Sequence, residues 1–191
     1  MICALLNKVD IMAEQFDSLS QDFVDWIHAQ HVYFVATAAK DGRVNVSPKG
    51  QDSLRVTGPN QICWMNLTGS GNETAAHLLD TNRITLMWCA FEGLPRILRV
   101  YGRAQTIHER DPQWQACTQY IPPTAGTRQY YLIDIDLVQT SCGYAVPFMD
   151  FQEDRQVLNQ WAEKRGKESV RQYWQDKNQF SIDGLPTQVI E

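Results

Sequence analysis

A run of β-branched and aromatic residues, VYFVATAA at 32–39, stops at Lys40-Asp41-Gly42 and resumes as RVNVSPK at 43–49. Asp-Gly between two apolar runs is a strong hairpin signal, and it commits this part of the chain to antiparallel pairing. In the return run, Val44 and Val46 face one way while Asn45, Ser47 and Lys49 face the other. Pro48 has no N–H for a ladder, so this strand lies at a sheet edge or bends away. The pattern recurs downstream. Residues 54–57 and 61–67 flank Gly58-Pro59-Asn60, and residues 84–91 and 96–105 flank Glu92-Gly93-Leu94-Pro95. Residues 130–138 then alternate, with Tyr131, Ile133, Ile135 and Leu137 on one face and Asp134 and Asp136 on the other. Strands joined mostly by hairpins predict a mainly β (α+β) chain: a six- to seven-stranded antiparallel β-barrel, closed or nearly closed.

Helical signals are peripheral. Ser18-Leu-Ser20-Gln-Asp22 offers capping hydroxyls and an acidic first turn before a stripe of Phe23, Val24, Trp26 and Ile27, reaching about Gln30. Thr68-Gly-Ser-Gly71 reads as a flexible loop, with Asn72 as N-cap of a short helix through Leu79. A further short helix is expected over 112–120. From Phe151 the period turns helical, with one stripe (Val157, Leu158, Trp161, Ala162) ending at Arg165-Gly166 and a second (Val170, Tyr173, Trp174) after it. The tail SIDGLPTQVIE is turn-rich. Residues 1–19 read as an N-terminal arm, of which 1–11 look like an upstream extension. Residues 20–147 read as the barrel domain and 148–191 as a C-terminal helical extension packed on it.

A length of 191 residues suits one domain with an appendage. Seventeen basic against twenty-two acidic side chains give a net charge of -5, which argues against nucleic-acid or anionic-membrane binding. No apolar run approaches the roughly 20 residues of a membrane span. Five scattered cysteines without a CxxC pair suggest neither a disulfide framework nor a zinc site, and fit a reducing cytoplasm. The N-terminus lacks the basic region and cleavage signal of a secretory leader.

Two places could carry chemistry. The glycine loop is neither a P-loop nor GxGxxG, yet it offers backbone N–H groups at a helix N-terminus with Asn72 and Thr74 beside them. A plainly capped helix explains the same residues. Asn45, Ser47 and Lys49 on one strand face can hold an anion or polarise a carbonyl, though such a face is often simply solvated. Of Arg96, Arg99 and Arg103, a single anion ligand is the most the pattern supports. His28 and His31 have no third ligand, so no metal is expected. No GxSxG, Cys-His pattern or close carboxylate pair supports hydrolysis, and no general acid or base can be assigned.

Taken together, FVATAAKDGRVNVSPKG (34–50), CWMNLTGSGNETAAHL (63–78), NRITLMWCAFEGLPRILRVYGRA (82–104) and CGYAVP (142–147) resemble the pyridoxamine 5'-phosphate oxidase-like family of FMN-binding split barrels. The resemblance spans roughly residues 20–147. The tail KNQFSIDGLP (177–186) looks like the ending of a subgroup distinct from the oxidase itself. This resemblance implies a split barrel and a homodimer with two FMN sites at the subunit interface. It places Ser47, Pro48 and Lys49 on the strand beside the flavin, and Trp64, Met65 and Asn66 on the strand lining the ribityl chain and ring. Asn72, Glu73 and Thr74 match the phosphate-binding turn and helix start, and Arg99, with Arg96, lies on a strand giving a further polar contact. Lys49 near the ring's N1–C2=O edge would stabilise anionic reduced flavin.

The departures from the oxidase are informative. Asn72-Glu73-Thr74 stands where it has an Arg-Lys pair, and the Arg five residues before its strand lysine falls on Val44. Its C-terminal Trp and Arg-Leu-His signature is absent. These changes point away from vitamin B6 phosphate as substrate, and toward a phosphate held through Thr74, Asn72 and Arg99. The implied function is a cytoplasmic FMN-binding flavoprotein, an oxidoreductase acting on a small molecule with a reductant such as NAD(P)H. A non-catalytic flavin-binding or sensory module is the alternative, as is the same barrel binding a deazaflavin or haem. Haem is disfavoured because no histidine occupies a family flavin position.

Overall fold

Period-two alternation builds the strands, and the helices fill the connections between them. In chain order the elements are β1 (Glu14–Phe16), α1 (Gln21–His28), β2 (Tyr33–Thr37), β3 (Asn45–Lys49), β4 (Leu54–Gly58), β5 (Gln61–Leu67), α2 (Glu73–Asp80), β6 (Ile84–Cys89), β7 (Arg96–Ile107), α3 (Trp114–Tyr120), β8 (Thr127–Cys142) and α4 (Val157–Lys177). The computed structural model describes residues 13–190. The expected extension at 1–11 lies outside the described residues. No described helix is long and apolar enough to cross a membrane.

All described strands form one antiparallel sheet in the order β3-β2-β6-β7-β8-β5-β4, with β1 added beside β8. The two ends of this path, β3 and β4, share no ladder among the described residues, so the barrel is split between them. Pro48 accordingly sits on an edge strand, where its missing N–H costs nothing. Long strands β7 and β8 form the spine, paired from Arg96 opposite Cys142 to Ile107 opposite Tyr130. A bulge at Tyr101/Gly102 lets this pair coil. The seven strands read from the sequence are all present. The eighth, β1, lies in the stretch assigned to the arm, and Phe16 on it packs against the core.

Alternation sorts the side chains into two cores. Val35, Ile62, Trp64, Leu86, Trp88, Leu98, Val100, Tyr131 and Ile133 fill the barrel interior. Cys63, Met65, Ile107, Cys117, Ile121 and Tyr130 form a second cluster that takes in α3. At about 1.5–3 kcal/mol per fully buried large apolar side chain, the first cluster dominates stability.

The hairpin at Asp41-Gly42 is looser than expected. Strands β2 and β3 stop at Thr37 and start at Asn45, leaving a loop in place of a tight turn. Its backbone is held by carboxylates instead of a ladder. Lys40 N–H donates to Asp80 at 2.5 Å, and Arg43 N–H to Asp183 at 2.7 Å. Helix α1 ends at His28, short of Gln30, with Ser20 capping it through Phe23 N–H at 3.3 Å. At Gly166, with φ +74°, the C-terminal helical run breaks where the sequence placed its stop.

Candidate functional site

Beside the split, a cavity of about 590 Å³ opens between β3, the end of β5, the 69–71 loop, the start of α2, Arg128 and the chain after α4. That volume suits a cofactor-sized ligand. Period two on β3 turns Asn45, Ser47 and Lys49 toward it, while Val44 and Val46 point to solvent. A hydrogen-bond chain runs inward from this face. Ser47 Oγ donates to Asn45 Oδ1 at 2.9 Å, and Asn45 Nδ2 reaches Thr37 Oγ1 and Thr74 Oγ1, each at 3.3 Å. Thr37 Oγ1 in turn lies 3.1 Å from Nδ1 of buried His77, whose Nε2 has no partner among the described residues.

Lys49 carries its ammonium 5.4 Å from the centre of the Trp64 ring. Burial and the Arg128 charge pull its pKa down to about 8. Trp64 is fully buried and stacks on Tyr131 at 4.7 Å, with its indole N–H unpartnered among the described residues.

The start of α2 differs from the expected cap. Asn72 occupies the cap position, but its side chain makes no capping bond. Instead it exchanges hydrogen bonds with buried Gln129, at 3.0 and 3.4 Å, and the Gln129 amide also meets the Tyr131 hydroxyl. The amides of the first turn are thus left without a side-chain acceptor, a cradle suited to an anion. Glu73 would repel that anion, but both its oxygens accept the Ile182 N–H at 3.1 Å.

Sequence reasoning missed Arg128, which is 5% exposed and lines the cavity. Its Nη1 donates to Gly71 O at 2.9 Å and Asn178 Oδ1 at 2.6 Å, while Nε has no partner among the described residues. Burial pulls its pKa down to about 10. A buried guanidinium bonded only to neutral oxygens favours an added anion.

Of the residues predicted for the site, Ser47, Lys49, Asn66, Asn72, Glu73 and Thr74 line the cavity. Trp64 lies beneath Lys49, inside the core. The Met65 side chain points the other way, into the α3 cluster, where its sulfur meets Thr127 Oγ1 at 3.2 Å. Pro48 is exposed on the outward side of β3. Arg99 stands outside the cavity on β7, donating to Ser141 Oγ at 3.0 Å. The cavity also gains Lys177, Phe180, Ser181 and Ile182, from a tail that the sequence reading gave only as a subgroup ending.

Comparison with known proteins bears on the family and the fold. The family model for pyridoxamine 5'-phosphate oxidase matches residues 19–142. Pyridoxamine 5'-phosphate oxidase family protein ustO of Aspergillus flavus is 35% identical over 191 residues, covering 90% of this chain and 76% of that protein. Among solved structures, a variant of HupZ from Group A Streptococcus superposes with a TM-score of 0.52 at 20% identity, over 63% of this chain and 98% of that one. A candidate pyridoxamine 5'-phosphate oxidase of Lactobacillus delbrueckii gives 0.51 at 20% identity, over 64% and 94%. At that identity these structures show the fold alone.

Proposed function

The chain belongs to the pyridoxamine 5'-phosphate oxidase family, and from that premise we propose that it holds FMN at this cavity and works as an oxidoreductase on a small molecule. The observation that carries the reading is Arg128: a buried cation without a carboxylate partner among the described residues, beside an uncapped helix start, in a chain of net charge -5. A phosphate monoester with nearly two negative charges meets that need. A bound flavin supplies hydride and electron transfer.

The chain's own residues do the rest. The first-turn amides of α2, Thr74 Oγ1 and Arg128 receive the phosphate. Ser47 and Asn66 offer polar contacts along the cavity wall. Lys49, held over Trp64, brings a positive charge to one edge of the ring and lowers the energy of negative charge there. Asn45 links Ser47 to Thr74, so the strand and the phosphate helix hold their donors in a fixed relation.

The reading extends to a homodimer with FMN at the interface. Arg99 lies on β7 away from the cavity, where a second copy, not its own chain, would bring a flavin to it. Solvent-facing Val46 on β3 and Val44 just before it offer apolar surface beside the cavity.

Purified protein mixed with FMN should show a shifted visible spectrum and a raised Tm, and should sediment as a dimer. Under anaerobic conditions NADH or NADPH should bleach the bound flavin. Absence of any spectral shift or thermal stabilisation at high micromolar FMN defeats the cofactor assignment. Binding without bleaching by either nucleotide removes NAD(P)H as the reductant.

A further inference from the structure

The family match ends at residue 142, yet the chain from Lys177 onward forms one wall of the cavity. Asn178 joins this wall to the rest. It is fully buried and uses all its polar groups. Its backbone N–H closes α4 on Trp174 O at 2.9 Å, and its carbonyl accepts Thr187 Oγ1 at 2.6 Å. Its side-chain amide donates to Gly69 O at 3.1 Å and Ser70 O at 3.4 Å, while Oδ1 accepts from Arg128 Nη1 at 2.6 Å. One side chain thus fixes both the glycine loop and the buried guanidinium. Lys177, exposed at the end of α4, adds an ammonium to the same wall.

The far end of the segment is tied down as well. Ile182 N–H occupies the Glu73 carboxylate, and Asp183 accepts the Arg43 N–H and pairs with its guanidinium.

The chemistry of position 178 is specific. Arg128 needs an oxygen acceptor to hold its direction, but a carboxylate there would neutralise it. An amide supplies the acceptor without the charge, and its NH₂ group satisfies the loop carbonyls. The guanidinium is therefore both oriented and uncompensated.

We propose that residues 177–187 build the phosphate end of the flavin site, with Asn178 as a positioning residue that aims Arg128 and the glycine loop, and Lys177 as a direct cation. This rests on the FMN reading above. It assigns to the C-terminal segment a part in choosing phosphorylated over unphosphorylated flavin.

FMN and riboflavin differ only in the phosphate, so paired titrations of the full-length chain isolate this role. In Asn178→Ala and Asn178→Asp the FMN Kd should rise about tenfold, the loss expected when a charge-assisted contact is misaimed. In Lys177→Ala it should rise several-fold. Riboflavin affinity should stay within about twofold of wild type throughout. Variants whose preference for FMN over riboflavin equals that of wild type overturn the inference, as does a parallel loss of both ligands in every variant. Should the Asn178 variants fail to fold, Lys177→Ala, altered only at an exposed helix end, decides alone. Wild-type protein that binds neither flavin overturns the cofactor reading and this inference together. Wild type that binds FMN while the variants are unaffected overturns this inference only.

Discussion

Lys49 is a cavity residue whose charge state changes near neutral pH. Its pKa of about 8 leaves it mostly protonated at pH 7, and it loses its proton as the pH rises through 8. A flavin phosphate is already fully ionised over that range. FMN affinity should therefore fall between pH 7 and 9 in wild type and change much less in Lys49→Met, measured by flavin fluorescence titration. Equal pH dependence in both proteins would remove Lys49 from the site. Lys49 and Ser47 were legible because period two and the family motifs point to the same positions, and Asn66 from the motif alone. Trp64 and Met65 show the limit of a motif read as a block. Neighbouring strand residues face opposite ways, so only one of that pair can approach the cavity. Arg128 was not legible: it lies at the start of a strand whose alternation begins only at Tyr130, and nothing local marks its burial.

At the scale of elements, the spine of β7 and β8 depends on a single absent side chain. A Cβ at Gly102 would stand 2.1 Å from Asp134 O, where the bulge brings the two backbones together. Gly102→Ala should cost about 2–3 kcal/mol in urea unfolding, since backbone on both sides must shift. A loss below about 0.5 kcal/mol would mean that the bulge yields freely. Most strands could be read from alternation and turn residues. The loop after β2 could not, because the carboxylates that hold it come from Asp80 and Asp183, far along the chain. Asn72 stands at the cap position as read, but its side chain goes elsewhere for a related reason: Gln129 competes for it once β8 is in place. The break at Gly166 was legible, being local backbone chemistry.

For the molecule as a whole, stability should depend on pH through His108. Burial pulls its pKa down to about 4, against about 6.5 for an exposed histidine. Between those values the unfolded chain binds the proton and the folded chain does not. The contribution is complete above pH 6.5 and is lost as the pH falls toward 4. Wild-type Tm should drop from pH 7 to pH 5, and His108→Gln should flatten that drop. An identical decline in both proteins would place the acid sensitivity elsewhere. The topology, too, bears on how the molecule comes into being. Arg43 is bonded to Asp183, and Asn178 to Gly69, Ser70, Arg128 and Thr187. During synthesis the sheet can close as soon as β8 has emerged from the ribosome, but the cavity then lacks a wall. Residues 14–142, which carry every described strand, thus leave the ribosome before the wall at 177–187, and a ligand that needs this wall must wait for it.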